Sequence, residues 1–206
     1  MKHITLFLLI TTAIPVLSQS PEKFGIKSTA GVPEGLPEGS KAPLFEGTDQ
    51  NNYIIRLSDQ LKKGPVVLIF YRGYWCPVCN KYLNQFQQDI EQILQKGASV
   101  IAVSPEQNDG VDKTISKNNL TFSILSDQGY KIMDAYDVRF LVTDGYSGKI
   151  KTFLGTSIAE NNNDDKPYLP IPATYIIGQD GIIKKTFFDQ NYKNRPTVEE
   201  IVKHLN

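Results

Sequence analysis

The chain has 206 residues, of which 40% are hydrophobic, and its 22 basic and 22 acidic side chains give a formal net charge of zero. That length allows one domain with a sizeable core. A neutral chain without a basic cluster argues against nucleic acid as a partner, and beyond the N-terminus no apolar run is long enough to span a membrane.

The first 18 residues have the three parts of a secretory signal peptide. Residues 1–3 carry positive charge, residues 4–17 are apolar apart from three threonines, and Ser18 is followed by Gln19. The alternative is a membrane anchor, but the apolar run falls short of the ~20 residues that a span needs. The sequence therefore predicts cleavage near Gln19 and an extracytoplasmic mature protein, periplasmic or secreted, without stable membrane insertion.

Glycine and proline punctuate residues 19–39, which are predicted to form an extended leader ahead of one domain at 40–206. Apolar stretches on either side of a polar turn at 48–52 predict an N-terminal β-hairpin. A short helix at 58–61 follows the hairpin and ends at a Gly-Pro pair.

Apolar periodicity in the rest of the chain alternates between strand-like and helix-like segments. Strands are predicted at 66–71, 98–103 and 122–125, helices at 79–94, 112–120 and 129–136, a hairpin at 173–188 and a capped last helix at 197–205. Residues 143–166 are predicted as an irregular insertion with an exposed polar loop at 161–165. This order predicts an α/β fold with a mixed central β-sheet and helices on both faces.

The only two cysteines, Cys76 and Cys79, lie together in a Cys-Pro-Val-Cys motif between the 66–71 strand and the following helix. A Cys-x-x-Cys at such a junction is typical of a redox dithiol. The nucleophile is the thiolate, which a helix N-terminus favours through partial positive charge and free N–H groups. Because Cys76 fits the cap position and Pro77 the first helical position, we expect Cys76 to attack and Cys79 to resolve.

Two other uses of the cysteine pair are weaker. A structural disulfide that closes four residues contributes about 2 kcal/mol, against about 3 kcal/mol for a loop of about 15 residues, and a domain of this size has little need of it. A zinc site needs two further ligands, but no other cysteine exists, His3 leaves with the signal peptide and His204 stands alone. We therefore expect no metal and no cofactor.

Arg72 and Trp75 are the nearby candidates for the thiolate or substrate environment. Arg72 lies four residues before Cys76 and is able to stabilise a thiolate, with a surface ion pair or a packing role as the equal alternative. Trp75 either shields the thiol or forms part of a partner-docking surface, and plain packing is an equally strong interpretation.

With these motifs, the chain resembles the thioredoxin superfamily and, more closely, the peroxiredoxin-like branch of the alkyl hydroperoxide reductase and thiol-specific antioxidant (redoxin) family. The resemblance runs from about Gly39 to the C-terminus and rests on stretches at 39–43, 70–79, 171–181 and 189–195. It implies a single thioredoxin-like domain and an antioxidant thiol peroxidase, which reduces hydroperoxides and is recharged by a thioredoxin-type donor.

The same resemblance gives Pro172 a role. The Leu-Pro-Ile-Pro-Ala-Thr stretch at 169–174 matches the loop that faces the Cys-x-x-Cys in thioredoxin folds, where the proline is cis. We therefore expect a cis bond between Ile171 and Pro172, although only ~5% of X–Pro bonds are cis. Pro172 is then one wall of the redox site.

One departure from the family pattern concerns the substrate. Typical peroxiredoxins carry Pro-x-x-x-Thr-x-x-Cys, with a threonine hydroxyl that helps to hold the peroxide, whereas Ile69 and Gly73 occupy the corresponding positions here. Neither side chain donates a hydrogen bond. If Cys76 reduces peroxide, Arg72 or backbone N–H groups must therefore stabilise the leaving oxygen.

Three functional hypotheses stay open at this point. In the first, which the family resemblance favours, Cys76 reduces a hydroperoxide and Cys79 then closes a disulfide. In the second, which the missing threonine and the proline loop favour, the pair reduces protein disulfides through a mixed disulfide. In the third, the scaffold is a redox-silent binding module, and the two intact cysteines count against it.

Overall fold

The computed structural model describes residues 20–205, so the predicted signal peptide at 1–18 lies outside the described residues. The strands are β1 Glu46–Thr48, β2 Ile54–Arg56, β3 Val66–Phe70, β4 Ser99–Ser104, β5 Ser123–Ser126, β6 Arg139–Leu141, β7 Tyr168–Pro170, β8 Ala173–Ile177 and β9 Ile183–Phe188. The α-helices are α1 Leu57–Leu61, α2 Pro77–Asp89, α3 Glu91–Leu94, α4 Asn108–Asn118, α5 Lys131–Ala135, α6 Asp144–Leu154, α7 Ile158–Asn161 and α8 Val198–Val202. None of these helices is long and apolar enough to cross a bilayer.

A five-stranded mixed sheet forms the centre of the fold, with strand order β5-β4-β3-β8-β9. β3, β4 and β5 run parallel to one another, whereas β8 runs antiparallel to both β3 and β9. β3 lies in the middle and is buried along its whole length, as its run of apolar residues predicts. The predicted mixed sheet and its closing hairpin are confirmed.

The two faces of the sheet bury different sets of side chains, and helices cover both faces. Along β3, Val67 belongs to one core and Leu68 to the other, because successive strand residues point in opposite directions. Residues of α2, α4 and α8 pack into the first core, and residues of α1 and α5 into the second. The predicted helices on both faces are thus confirmed, and Cys76 and Cys79 belong to the first core.

Two other predicted elements fit the structure closely. The N-terminal β-hairpin is confirmed by the antiparallel pairing of β1 with β2. The helix predicted at 79–94 is divided into α2 and α3, which meet at Ile90. Ile90 keeps right-handed helical angles and is 7% exposed, so the apolar stripe continues through the junction.

Residues 143–166 were expected to be irregular, and that prediction is wrong because they contain α6 and α7. The Thr143 side chain caps α6 by accepting the N–H of Tyr146 at 3.3 Å, and Ser157 caps α7 in the same way. Ile150 is buried in the first core. Side-chain caps and the burial of Ile150 in the core therefore help to stabilise helices in this segment.

The exposed loop predicted at 161–165 is also wrong at Asn162, although Asn163 and Asp165 are exposed. Asn162 is 3% exposed, and its side-chain N–H donates to the carbonyl oxygen of Tyr168 at 2.7 Å. A buried amide N–H with a carbonyl acceptor avoids the cost of an unpaired donor. The bond ties the end of α7 to β7, which pairs with β6 in a small two-stranded sheet.

Residues 20–39 run along the body of the protein. They contain two short 3-10 helices, Pro21–Phe24 and Ser28–Ala30. Between these helices, Ile26 is 1% exposed, belongs to the first core and forms an isolated antiparallel bridge with Val142. The N-terminal segment is thereby fixed against the start of α6.

Candidate active site

Cys76 and Cys79 lie where β3 leads into α2. Cys76 is the N-cap residue of α2, with extended backbone angles, and its Sγ accepts the N–H of Cys79 at 3.2 Å. Pro77 fills the first helical position, where a backbone N–H would have no partner within the helix. The two cysteines form a disulfide across a Cα–Cα separation of 5.3 Å, so the structure describes the oxidised pair.

Both sulfurs are withdrawn from solvent in this state. Cys76 is fully buried and Cys79 is 2% exposed, and both side chains pack in the first core. A fully buried sulfur has no surface that a substrate in solvent is able to reach. In this oxidised state, contact between a reducing partner and Cys76 therefore requires local opening of the loop that leads into α2.

Arg72 is the charged residue in contact with the pair. Its side chain is buried, Nη2 donates to Cys76 Sγ at 3.2 Å and Nη1 donates to the Tyr146 hydroxyl at 2.8 Å. The guanidinium carbon lies 3.6 Å from the centre of the Tyr192 ring. The alternative of a surface ion pair is wrong, because Arg72 is only 3% exposed and none of the ion pairs within residues 20–205 includes it.

These contacts give Cys76 two independent sources of positive potential. The guanidinium of Arg72 lies beside Sγ, and a neighbouring cation favours the ionised form of a thiol. The N-terminal N–H groups of α2 act in the same direction. Once the disulfide is reduced, the arrangement therefore lowers the free energy of the thiolate relative to that of the thiol.

The position that carries threonine in typical peroxiredoxins is closed to a side chain. Gly73 has a φ of +146°, and a Cβ placed there would overlap a carboxylate oxygen of Glu106. Both carboxylate oxygens of Glu106 accept the N–H of Tyr74 at 2.8 Å. The glycine noted in the sequence is thus explained by a buried carboxyl that supports the loop from beneath.

Glu106 itself is fully buried just after β4, and sequence reasoning missed it. Burial raises its pKa to about 8, although the hydrogen bond from Tyr74 acts in the opposite direction. A carboxyl that holds its proton near neutral pH is therefore a structural neighbour of the Cys76 loop. The Ser-Pro-Glu sequence after a predicted strand was the available signal.

Trp75 packs inside the protein. It is 7% exposed and belongs to the same core as the two cysteines, with the Arg72 guanidinium 5.5 Å from its ring centre. Its Nε1 has no hydrogen-bond partner among the described residues. An exposed docking role is disfavoured by this burial, and the packing alternative fits.

The predicted cis bond before Pro172 is wrong, because the Ile171–Pro172 bond is trans, as are the other peptide bonds of residues 20–205. The N–H of Ile171 donates to the Val138 carbonyl at 2.7 Å, and its side chain is fully buried. These contacts fix the short link between β7 and β8, and X–Pro bonds already prefer trans by about 0.5–1 kcal/mol. Pro172 is buried immediately before β8.

Two further side chains, neither of them predicted from the sequence, hold the loop from its ends. Both terminal nitrogens of Arg195 donate to the Phe70 carbonyl at 3.1 Å, at the end of β3. The Asn80 side chain donates to the carbonyls of Tyr74 and Cys76 at 2.6 and 3.0 Å. The loop is therefore anchored where it leaves the sheet and again where it enters α2.

The surroundings of the pair offer a groove but no metal site. A groove of about 580 Å³ beside α2 is lined by Val78 and Phe86 on one side and by Arg195 and Val198 on the other. Such a partly apolar surface suits the organic part of a small substrate or a partner's chain. Within residues 20–205, no group of three or more His, Cys, Asp or Glu side chains is placed to hold a metal ion.

Comparison with known families matches residues 39–186 to the AhpC/TSA family. A putative chloroplastic peroxiredoxin Q from Oryza sativa subsp. indica is 32% identical over 175 residues, which cover 83% of this chain and 70% of that protein. The thiol-disulfide oxidoreductase ResA of Bacillus subtilis (strain 168) is also 32% identical, over 53% of this chain and 61% of that protein.

Solved structures show the same fold. Peroxidoxin BcpB from Mycobacterium tuberculosis aligns with a TM-score of 0.63 at 20% identity and covers 82% of this chain and 96% of that one. At this identity the likeness concerns the fold, and it confirms the predicted thioredoxin-like α/β architecture.

Proposed function

The chain belongs to the AhpC/TSA family, and on that premise we propose that it is a thiol-dependent peroxidase of the peroxiredoxin type, an antioxidant oxidoreductase acting through Cys76 and Cys79. Relatives named peroxiredoxin Q support this activity. The observation that carries the proposal is the position of Cys76 Sγ between the N–H of Cys79 and the guanidinium of Arg72. Both donors stabilise a thiolate, which is the form that attacks a peroxide.

The first step is attack by the Cys76 thiolate on the terminal oxygen of a hydroperoxide. The S–O bond forms while the O–O bond breaks, so Cys76 becomes a sulfenic acid and the substrate leaves as an alkoxide. The alkoxide takes a proton from water and departs as an alcohol. With no side chain at Gly73, Arg72 is the residue placed to stabilise the leaving oxygen.

The second step closes the disulfide seen in the structure. The Cys79 thiol attacks Sγ of the sulfenic acid, the S–S bond forms and the hydroxyl leaves with the thiol proton as water. A thioredoxin-type dithiol then reduces the disulfide through a mixed disulfide and is itself oxidised. One hydroperoxide is thereby reduced for each donor dithiol consumed.

This chemistry takes place outside the cytoplasm in our proposal. Residues 1–18 act as a signal peptide, and the mature protein consists of the 19–39 leader and the 40–206 domain, periplasmic or secreted. The charged start and the short apolar run support this. N-terminal sequencing of the exported protein should begin near Gln19, and a mature protein that retained residues 1–18 would contradict it.

The second candidate function is a thiol–disulfide oxidoreductase that acts on protein disulfides. Two observations favour it, namely the 32% identity with ResA over about half of the chain and the absence of a hydroxyl at Gly73. In that reaction Cys76 attacks a substrate sulfur, and Cys79 then resolves the mixed disulfide.

One turnover experiment separates the two. Mature protein is assayed with thioredoxin, its reductase and NADPH, in parallel with a hydroperoxide and with a disulfide-bonded protein substrate, using Cys76→Ser as the matched blank. The peroxidase proposal predicts donor-dependent peroxide turnover well above that blank. Peroxide turnover at background level together with rapid disulfide reduction would contradict the peroxidase proposal and favour the second candidate.

A further inference from the structure

We propose that Tyr146 is a positioning residue that holds Arg72 against Cys76, and that the N-terminal segment around Gly25 keeps Tyr146 in place. The proposal deepens the proposed function, since it rests on Cys76 being the reactive thiol. It assigns a role to α6 and to residues outside the 39–186 family match.

The first support is the way Arg72 is shared between two partners. One terminal nitrogen donates to Cys76 Sγ at 3.2 Å and the other to Tyr146 Oη at 2.8 Å. The Tyr192 ring covers the guanidinium at 3.6 Å from its centre. A planar guanidinium has donors in a fixed fork, so anchoring one nitrogen on Tyr146 sets where the other nitrogen points.

The second support is the packing behind Tyr146. Gly25 has a φ of +87°, and a Cβ placed there would lie 2.5 Å from Cγ of the Tyr146 ring. The Gly25 carbonyl also accepts the N–H of Thr143 at 2.8 Å, and Thr143 caps the helix that carries Tyr146. A glycine is required here because the N-terminal backbone lies directly against the ring.

The consequence is a chain of contacts from Gly25 through Tyr146 and Arg72 to Cys76. Removal of the Tyr146 hydroxyl leaves a buried N–H of the Arg72 guanidinium unpaired. The guanidinium is then able to rotate away from Cys76 Sγ. The positive charge remains in the protein, but its donor is no longer held on the sulfur. The thiolate of reduced Cys76 then loses part of its stabilisation, so the pKa of Cys76 rises.

Most other groups near Cys76 make no contact with the Tyr146 hydroxyl. Cys79 and the N–H groups of α2 lie on the helix side, Tyr192 lies over Arg72, and the Glu106 carboxyl supports the loop through Tyr74. Arg195 is anchored on the end of β3. Tyr192 is the exception, because its hydroxyl interacts with both Tyr146 and Arg72. A shift on removal of the Tyr146 hydroxyl therefore reports the contacts that converge on Arg72.

The test uses the reduced Cys79→Ser protein, so that Cys76 is the single thiol, and measures the pH dependence of its alkylation by iodoacetamide. Adding Tyr146→Phe should raise the pKa of Cys76 by about half a unit, the equivalent of one hydrogen bond. Gly25→Ala, which pushes on the same ring, should raise it in the same direction. Tyr130→Phe is the matched control, because it removes a 2.8 Å bond to Asp164 and leaves Arg72 untouched.

A double-mutant cycle distinguishes positioning from a general structural effect. In an Arg72→Met background, Tyr146→Phe should produce no further shift, because its effect passes through the arginine. An additive shift, or a Tyr146→Phe profile that coincides with the parent's at unchanged Tm, would overturn the proposal. If Tyr146→Phe does not fold, Gly25→Ala with and without Arg72→Met distinguishes the same two outcomes. Since alkylation needs no peroxide, the result is independent of whether the protein turns over hydroperoxides.

Discussion

The Cys-x-x-Cys segment and the α6–α7 segment meet at Arg72, yet they are organised in different ways. Between Phe70 and α2, a cap, a proline and two cysteines put the sulfurs at the helix N-terminus through local geometry, and Arg195 and Glu106 anchor the loop that carries them. In α6, Tyr146 reaches Arg72 only because the N-terminal segment and the helix cap hold it there. The identity of the reactive atom is therefore encoded locally, whereas its electrostatic surroundings are assembled from distant parts of the chain.

The largest expected effect comes from replacing the cysteines of the Cys-x-x-Cys segment. Cys76→Ser should lower turnover by at least about a thousandfold, because it removes the nucleophile. Cys79→Ser should leave the first step intact and accumulate an unresolved Cys76 product, visible by mass spectrometry. Full steady-state turnover in Cys79→Ser would show that Cys79 is not the resolving residue.

Arg72 joins the two regions, and its loss should have the next largest effect. In the reduced Cys79→Ser protein, Arg72→Met should raise the pKa of Cys76 by about one unit or more, since it removes a cation from beside the sulfur. Arg56→Met is a suitable control, because Arg56 forms an exposed ion pair with Glu46. An alkylation profile that did not move in Arg72→Met would mean that the contact does not stabilise the thiolate.

Gly73→Thr tests whether the loop accepts the residue of typical peroxiredoxins. It should lower the free energy of unfolding by about 2 kcal/mol, because the added Cβ overlaps Glu106 and the φ of +146° is unfavourable. Gly39→Thr shares a positive φ but has open space around it, so urea denaturation should show a smaller loss of about 1 kcal/mol. Equal losses in the two variants, with faster peroxide turnover in Gly73→Thr, would contradict this view of the site.

A further test concerns Glu106, the buried carboxyl that accepts the Tyr74 N–H and so supports the Cys76 loop. Its folded pKa of about 8 exceeds the ordinary 4.5, so the native state holds a proton that the unfolded chain has lost between these pH values. The free energy of unfolding should therefore fall as pH rises from about 4.5 to 8, with a slope of at most about 1.4 kcal/mol per pH unit.

Glu106→Gln should remove that slope while it keeps an acceptor for the Tyr74 N–H. The check is a series of urea denaturations across this pH range. Glu46→Gln, at an exposed position, should retain the slope of the parent. Parallel curves for the parent and Glu106→Gln would show that the buried carboxyl does not titrate in this way.

The sequence predicted the features that depend on neighbouring residues. The strand before Cys76, the helix cap and the β8–β9 hairpin each follow from a few adjacent positions. It failed on α6, where Gly145 and Gly148 lower helix propensity and the 80% exposed Phe153 obscures the amphipathic pattern.

The sequence also failed to predict contacts between residues that are far apart in the chain. Glu106 lies 32 positions from the Tyr74 N–H that it accepts, and Tyr146 lies 74 positions from Arg72. The Ile171 N–H, just before Pro172, likewise pairs with a distant carbonyl, that of Val138. A motif therefore identifies the reactive pair, but the structure is needed to find the groups that tune it.

The central claim is that the Cys76 thiolate takes an oxygen atom from a hydroperoxide. The most direct measurement treats reduced Cys79→Ser protein with one equivalent of hydroperoxide and determines the mass of the product by mass spectrometry. We expect the mass of one added oxygen atom, located on Cys76. A parallel sample treated with a sulfenic acid reagent should carry the reagent's adduct on the same residue. An unmodified Cys76 under these conditions, in a protein that still forms a mixed disulfide with a disulfide-bonded substrate, would contradict the claim.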